Sequence, residues 1–334
     1  MIGKKNKLAG IFSSLGINNS IKLTRSLFLN DLRIIAYHRV CDIDDINDKE
    51  LVSATCEDFD WQVEFIKKNY FPITFEEAVT RLGQNKKLPR NSIIVTFDDG
   101  FFDNYKNAYP ILKKHGVPAT FFISTGYIDS NDTFWFNFVS QIIMSNPGNS
   151  FSVLSVDYNI PDDIEKRCLL VSSILTLCKI VPNSERLNII ELLKEQLNMV
   201  SDQHPLAKPM TWDNVREMSQ NGMEFGSHSI THPILSQLEL DDLEREIQDS
   251  KSIIEQQINK GICSISYPEG GDFAFNENVL KQVDKAGYQL GSTYISGRNY
   301  NPKLGEFQLR RGHIEVTTSR SLFASMLALP EIFF

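Results

Sequence analysis

The strongest constraint on this chain's fold is an alternation of short apolar runs with amphipathic helical segments. The run LRIIAYH (Leu32–His38) reads as a buried strand, and EDFDWQVEFIKKN follows with Phe59, Val63 and Ile66 on one helical face. Thr74 and Glu77 carry a capping-box signature, opening a short helix through Ala78, Val79 and Leu82. SIIVTF (Ser92–Phe97) is a β-branched run with polar flanks, hence a strand. A helix over 104–115 stops at Gly116, and ATFFIS (Ala119–Ser124) is the next strand. The series resumes with the helix TWDNVREMSQ, closed by Gly222, and the strand MEFGS. The long helix LELDDLEREIQDSKSIIEQQI is stopped by Gly261. The strand ICSISY, the helix NENVLKQVDKA ended by Gly287, and the strands YQLGSTY and FQLRR complete it.

Strands separated by helices of this length pair in parallel through right-handed crossovers. About seven such strands predict an α/β fold, a closed or nearly closed (β/α) barrel, rather than an open doubly wound sheet. No glycine-rich phosphate fingerprint follows the first strand, which also argues against a dinucleotide fold. The alternation breaks between about 130 and 209. That stretch opens on Phe134, Trp135, Phe136 and Phe138, and contains the helical segments RCLLVSSILTLCKI and RLNIIELLKEQL. It reads as a largely helical insertion in a barrel spanning 31–334, either capping the barrel mouth or packing on its side.

With 334 residues the chain can bury a sizeable core, and its net charge of -8 argues against nucleic acid as a partner. Cys41, Cys56, Cys168, Cys178 and Cys263 are odd in number and never form a CxxC pair, which fits reduced thiols. The segment 1–30 is different: Lys4, Lys5, Lys7, Lys22 and Arg25 face no acidic residue, and Leu8, Ile11, Phe12 and Leu15 fall at helical spacing. A helix packed on the domain is the favoured reading of it; a basic amphipathic helix on an anionic membrane surface is the second. LAGIFSSLGI is too short and polar for a secretory signal, and no run reaches the roughly 18–20 apolar residues of a span. The expected location is cytoplasmic, with peripheral membrane contact under the second reading.

Three polar clusters fall where strands end: Asp98-Asp99 after IIVTF, His228 and His232 after MEFGS, and Tyr267-Pro268-Glu269-Gly270 after ICSIS. Singly, such clusters are most often a helix cap, a surface or core histidine pair, and a turn. In a parallel barrel, however, the C-terminal strand ends converge on one face, so these three should meet. Adjacent carboxylates repel unless a cation or proton relieves them. Two histidines four residues apart can turn to one ion if they lie on a helical turn. One carboxylate with two histidines makes a divalent-ion site with open positions, leaving the other carboxylate to take a proton from the attacking water.

These residues resemble the motifs of the polysaccharide deacetylase family (carbohydrate esterase family 4, NodB-homology type). TFDDG (Thr96–Gly100) is similar to its first motif, SHSITH (Ser227–His232) to its second, and SYPEGG (Ser266–Gly271) to a Tyr-Pro variant of its third. AYHRV (Ala36–Val40), FIKKNYFPITFEEA and ILKKHGVPATFFISTGYID extend the resemblance over about 32–128 and 210–316. It implies a distorted barrel of seven strands that hydrolyses the acetamide of an N-acetylhexosamine and releases acetate. It implies Asp99, His228 and His232 as ligands of a divalent metal, usually zinc, with cobalt or another divalent ion able to substitute. It implies Asp98 as catalytic base and the backbone N–H of Glu269 as oxyanion donor, with Tyr267, Pro268 and His38 on the substrate side.

Two positions depart from the pattern. Many members carry an arginine in the third motif where this chain has Ser266, and Arg311 or Arg310 is expected to replace it from the last strand. A late histidine often serves as general acid, and here only His313 in LRRGH is available. The expected substrate is an N-acetylated glycan or a lipid- or nucleotide-linked precursor. The rivals are hydrolysis of a small cyclic or linear amide, a non-catalytic glycan-binding barrel, and an iron oxygenase; the α/β alternation disfavours the last.

Overall fold

The computed structural model describes residues 2–14, 18, 31–42, 51–198 and 205–333. The first helix, α1 (Ile2–Ser14), lies against the C-terminal helices. Ala9 is fully buried, Phe12 meets Phe333 edge-on at 5.7 Å, and the Ser319 hydroxyl donates to Asn6 Oδ1 at 2.5 Å. The favoured packing arrangement is therefore present, although Leu8 and Ile11 stay exposed instead of sharing the buried face. Leu15, Lys22 and Arg25, and the side chains of Lys4 and Lys5, lie outside the described residues. No described helix is long and apolar enough to cross a membrane.

Strand β1 (Asp31–Tyr37) leads to α2 (Cys56–Asn69), which Thr55 caps by accepting the Asp58 N–H. At α3 (Phe75–Gly83) only half of the expected capping box forms. Thr74 accepts the Glu77 N–H at 3.1 Å, but the Glu77 carboxylate receives Arg81 instead of reaching back. The N–H groups of Phe75 and Glu76 donate to the buried Glu224 carboxylate at 2.9 and 2.7 Å. After β2 (Ser92–Phe97) the expected helix opens as a π-turn over Asn104–Ala108 and becomes α4 (Tyr109–His115). Pro110 has no N–H for the Lys106 carbonyl, so the ladder cannot keep α register there. Gly116 ends α4 in the left-handed region at φ +62°, and β3 (Thr120–Ile123) follows.

The insertion comprises α5 (Trp135–Met144), β4 (Ser150–Val153), β5 (Val156–Asn159), α6 (Ile164–Ile180) and α7 (Asn183–Gln196). The insertion is largely helical as expected, with the antiparallel β4–β5 hairpin as an addition that the sequence did not announce. Its turn places Leu154 and Ser155 at φ +50° and +62° without the Asn-Gly or Gly pair that normally signals a hairpin. The insertion has its own core, with Val139, Ile142, Phe151, Ile174, Cys178, Ile189 and Leu193 packed together.

The second half runs α8 (Trp212–Gln220), β6 (Glu224–Ser227), α9 (Leu240–Ile258), β7 (Ser264–Ser266), α10 (Glu277–Lys285), β8 (Leu290–Ser292), β9 (Glu306–Leu309), β10 (Gly312–His313) and α11 (Arg320–Ala328). Helix α9 stops at left-handed Asn259, two residues before Gly261. The parallel order is β1-β2-β3-β6-β7-β8-β9, while β10 returns to pair with β1 at Ile35↔Gly312 and Ala36↔His313. β9 and β10 are thus two halves of one strand broken at Arg310 and Arg311, one half on β8 and the other on β1. This nearly closes a seven-position barrel; Asn299–Tyr300 adds a short antiparallel edge to β1.

Alternation along the strands sets what faces the bore. Leu32, Ile34, Ile94, Phe122, Leu290 and Leu309 cluster inside with Phe75 and Ala78 of α3, which plugs the end where the strands begin. Their neighbours Ile35, Tyr37, Val95, Phe97 and Phe121 pack outward against the helices. Phe122 fills the bore so fully that a Cβ on Gly226 would sit 2.5 Å from its ring, which explains a glycine in mid-strand.

Candidate active site

The inward series Ile94, Thr96 continues to Asp98 at the open end of β2, so the strand's own period aims this carboxylate into the barrel. Asp99 then takes φ +75°, a left-handed conformation uncommon for a residue with a side chain, and turns the other way. His228 follows β6, and a loop, not a helical turn, brings His232 beside it. Ser229 and His232 sit at φ +66° and +55°, and this sharp reversal sets the imidazoles 4.9 Å apart. Glu246 of α9 holds the loop by accepting the N–H groups of Ile230 and Thr231 at 2.6 and 3.0 Å. From the other side, Trp135 Nε1 and Arg186 Nη1 of the insertion donate to the His232 carbonyl at 3.0 and 3.1 Å.

Asp99, His228 and His232 form a group that can hold a metal ion. Asp99 Oδ1 lies 3.5 Å from His228 Nε2 and 3.3 Å from His232 Nε2. Those separations match the edges, about 3.3 Å, of a tetrahedron with bonds of roughly 2.0–2.1 Å. Asp99 Oδ1 is buried and accepts no hydrogen bond from the described residues, a costly state for a carboxylate oxygen unless a cation takes it. His228 Nδ1 is 2.8 Å from the Ser266 carbonyl, which places the proton on Nδ1 and leaves the Nε2 lone pair toward Asp99. Burial pushes the His228 pKa down to about 4, so the ring is neutral at pH 7, the form a metal requires. The donor set therefore fits a divalent ion.

Arg311 is fully buried and grips Asp98 with both ends of its fork, Nη1 to Oδ1 at 2.8 Å and Nη2 to Oδ2 at 2.7 Å. Its Nε donates to the Thr293 carbonyl at 2.7 Å, and Nη2 also reaches Ser266 Oγ at 2.8 Å. Burial alone would raise the Asp98 pKa; the charge of Arg311 and its hydrogen bonds more than reverse this and hold the carboxylate well below its usual range. Arg310 instead donates to the Ser296 carbonyl at the surface.

Glu269 sits at φ +61°, its N–H meets no acceptor among the described residues, and its carboxylate pairs with Lys179 of α6 at 2.9 Å. The Tyr267 hydroxyl is occupied by the Phe307 carbonyl at 2.8 Å, so Tyr267 contributes a wall, not a free donor. Pro268 shapes the turn, accepting the Gly270 N–H at 2.7 Å, and is not among the residues lining the cavity. His38 does line it, edge-on to Tyr294 at 5.4 Å. His313 does not; its ring lies behind Tyr294, stacked at 3.3 Å. Burial, with Arg311 nearby, pushes its pKa down to about 3. The cavity holds about 590 Å³, and α5 and α6 form one of its walls, so the insertion flanks the barrel mouth.

The sequence profile of the family described as polysaccharide deacetylase matches residues 85–291. The chain belongs to the polysaccharide deacetylase family. Members of this carbohydrate esterase family 4, NodB type, are hydrolases of carbon–nitrogen bonds other than peptide bonds. YxkH of Bacillus subtilis, a protein named for this family, is 25% identical over 297 residues, covering 89% of this chain and 76% of that one. A poly-β-1,6-N-acetyl-D-glucosamine N-deacetylase of Staphylococcus epidermidis is 26% identical over 215 residues, covering 59% and 72%. The Streptococcus pyogenes deacetylase PplD, solved in complex with acetate, shares the fold with a TM-score of 0.57 at 23% identity, covering 86% and 94%.

Within this deacetylase the sequence motifs leave five contributors unmarked: Trp135, Arg186, Glu246, Lys179 and Asn137. The first three hold the second-motif loop, Lys179 holds the third, and Asn137 lines the cavity. Only the aromatic opening of the insertion hinted at any of them.

Proposed function

We propose that this chain is a metal-dependent N-deacetylase of N-acetylhexosamine-containing glycans or glycan precursors, with zinc as the favoured ion and cobalt able to replace it. The observation that carries this reading is the Asp99–His228–His232 group at 3.3 and 3.5 Å, beside a second carboxylate held in a bidentate grip. A divalent ion bound by these three residues would supply Lewis-acid polarisation of the acetamide carbonyl. Asp98 takes the proton of the attacking water, and Arg311 keeps it ionised and fixes its plane. The free N–H of Glu269, pre-set by its left-handed backbone, donates to the oxygen that becomes anionic.

The leaving amine needs a proton. Asp98 has just acquired one, and its depressed pKa makes the protonated form a strong donor. His313, neutral and screened by Tyr294, is not needed for this step. His38 and Tyr267 bound the pocket around the sugar.

The test is acetate release by zinc-loaded protein from a panel of N-acetylated sugars, oligosaccharides and glycolipids, with small cyclic and linear amides as comparison. Release from the sugar acetamides that stops with a chelator supports the reading. Turnover of the small amides alone would replace it.

A further inference from the structure

The insertion presents α6 to the cavity along one stripe. Ile164, Cys168, Val171, Leu175 and Lys179 are spaced four, three, four and four apart, and all five line the cavity. The stripe is apolar until Lys179 at its inner end, which is tied to Glu269. The fifteen helical rises from Ile164 to Lys179 give a track of roughly 22 Å, from the oxyanion loop out to Ile164, which is 60% exposed. Such an arrangement is unlike a sugar-binding cleft, which hydrogen-bonds hydroxyls along its length. Among the described residues a phosphate or diphosphate linker finds no free partner either, because Lys179 is the only lysine or arginine of these on the cavity wall and it is already paired.

Asn137 of α5 gives a second, independent observation. It is 1% exposed, it lines the cavity next to Phe136, and Phe136 packs edge-on against His232 at 5.1 Å. Neither its Oδ1 nor its Nδ2 has a hydrogen-bond partner among the described residues. A buried amide left with both ends unmade is destabilising unless a ligand completes it.

Resting on the deacetylase reading, we propose that the insertion builds the site for the rest of the substrate. Asn137 takes hydroxyl or ring oxygens of the hexosamine, and the α6 stripe takes an uncharged aliphatic chain carried by that sugar. The substrate class is thus an N-acetylhexosaminyl lipid. The cavity of about 590 Å³ falls in the range that encloses a single ligand of this size.

The experiment uses methyl, butyl and octyl N-acetyl-β-glucosaminides as monomers below their micelle concentration, and an octyl diphosphate-linked analogue. Each buried methylene is worth up to about fourfold, so kcat/KM should rise at least about tenfold from methyl to octyl. Calorimetric binding of the octyl glycoside to zinc-loaded Asp98→Asn should show the same preference. Ile164→Asp, at an exposed helix start that tolerates the change, and Leu175→Asp should each flatten the methyl-to-octyl ratio. Leu169→Asp, off the cavity wall and 68% exposed, should keep it. Asn137→Leu should raise KM for the methyl glycoside about tenfold while leaving Tm equal or higher, since it removes an unsatisfied amide. A flat chain-length series with good turnover of the methyl glycoside overturns the lipid site but leaves the deacetylase reading standing. Preference for the diphosphate-linked analogue overturns the uncharged linkage, and an Asn137→Leu protein that melts lower with unchanged KM overturns the Asn137 contact; neither touches the deacetylase reading. Absence of acetate release from every sugar acetamide would instead sink the deacetylase reading itself.

Discussion

Replacing Arg311 by methionine tests the arrangement at its centre. The guanidinium makes two bonds to Asp98 at 2.8 and 2.7 Å, one to Ser266 Oγ at 2.8 Å, one to Thr96 Oγ1 at 3.2 Å and one to the Thr293 carbonyl at 2.7 Å, all away from water. Methionine fills a similar volume and supplies none of them. Breaking a buried pair by removing one partner costs about 3–5 kcal/mol of stability, so urea unfolding should show a loss of that size. The consequence for chemistry follows from the sign of the opposing effects on Asp98. Burial raises its pKa and Arg311 lowers it, so without the arginine the pKa moves up and the carboxylate loses the grip that fixes its orientation toward the attacking water. Acetate-release kinetics should then show kcat down by roughly two to four orders of magnitude, the worth of a positioned general base, with KM little changed. Metal content, measured by elemental analysis, should remain near one ion per chain, because Arg311 touches none of the three ligands. Arg311→Lys should fall between, since an ammonium restores charge but not the bidentate grip. Near-normal kcat in Arg311→Met with the metal retained would refute the role assigned to the pair.

The metal group gives a second test: Asp99→Ala, His228→Ala and His232→Ala should each lose most bound zinc, and unchanged metal content in any one removes that residue from the ligand set. Asp98→Asn should keep its zinc while kcat falls by about 10²–10⁴-fold, an outcome read by pairing elemental analysis with acetate release. Lys179→Met frees the Glu269 side chain and should lower kcat several-fold with zinc retained, whereas Lys179→Arg should preserve it; equal rates in both would show the pair is only a surface contact. Gly226→Ala pushes a methyl to 2.5 Å from Phe122 and should cost about 1–3 kcal/mol in denaturant melts.

The barrel was legible because its strands announce themselves locally: Ser92–Phe97 carries its full span in its β-branched composition. The meeting of Asp98, Asp99, His228 and His232 followed from parallel topology alone, since strand ends converge on one face. What stayed hidden had no local signal. The π-turn at Asn104–Ala108 depends on a proline whose effect falls one turn earlier, and the β4–β5 hairpin turns on Leu154 and Ser155, which are not turn formers. The box at Thr74 stays half made because the Glu77 carboxylate receives Arg81, while Glu224, 149 residues from Phe75 in sequence, takes the Phe75 N–H. Lys179 and Asn137 were illegible for a related reason: their function lies in what the insertion faces, and helical periodicity does not distinguish a wall against a cavity from a wall against a core.

The position of Arg311 follows from the break in the last strand. β9 hydrogen-bonds to β8 and β10 to β1, so at Arg310 and Arg311 the chain crosses from one neighbour to the other. A residue at that crossing is released from the ladder; Arg311 N instead donates to the Ile295 carbonyl. Its side chain can therefore enter the bore from the gap itself. Ser266, at the place where the family pattern carries an arginine, accepts from Arg311 Nη2 at 2.8 Å, so the two positions adjoin. An arginine at Ser266 would meet this guanidinium directly, and two like charges at that separation in a buried bore would repel. The small residue on β7 and the large cation at the strand break are thus complementary: the serine leaves room for the guanidinium that grips both oxygens of Asp98, and its hydroxyl accepts from that same guanidinium.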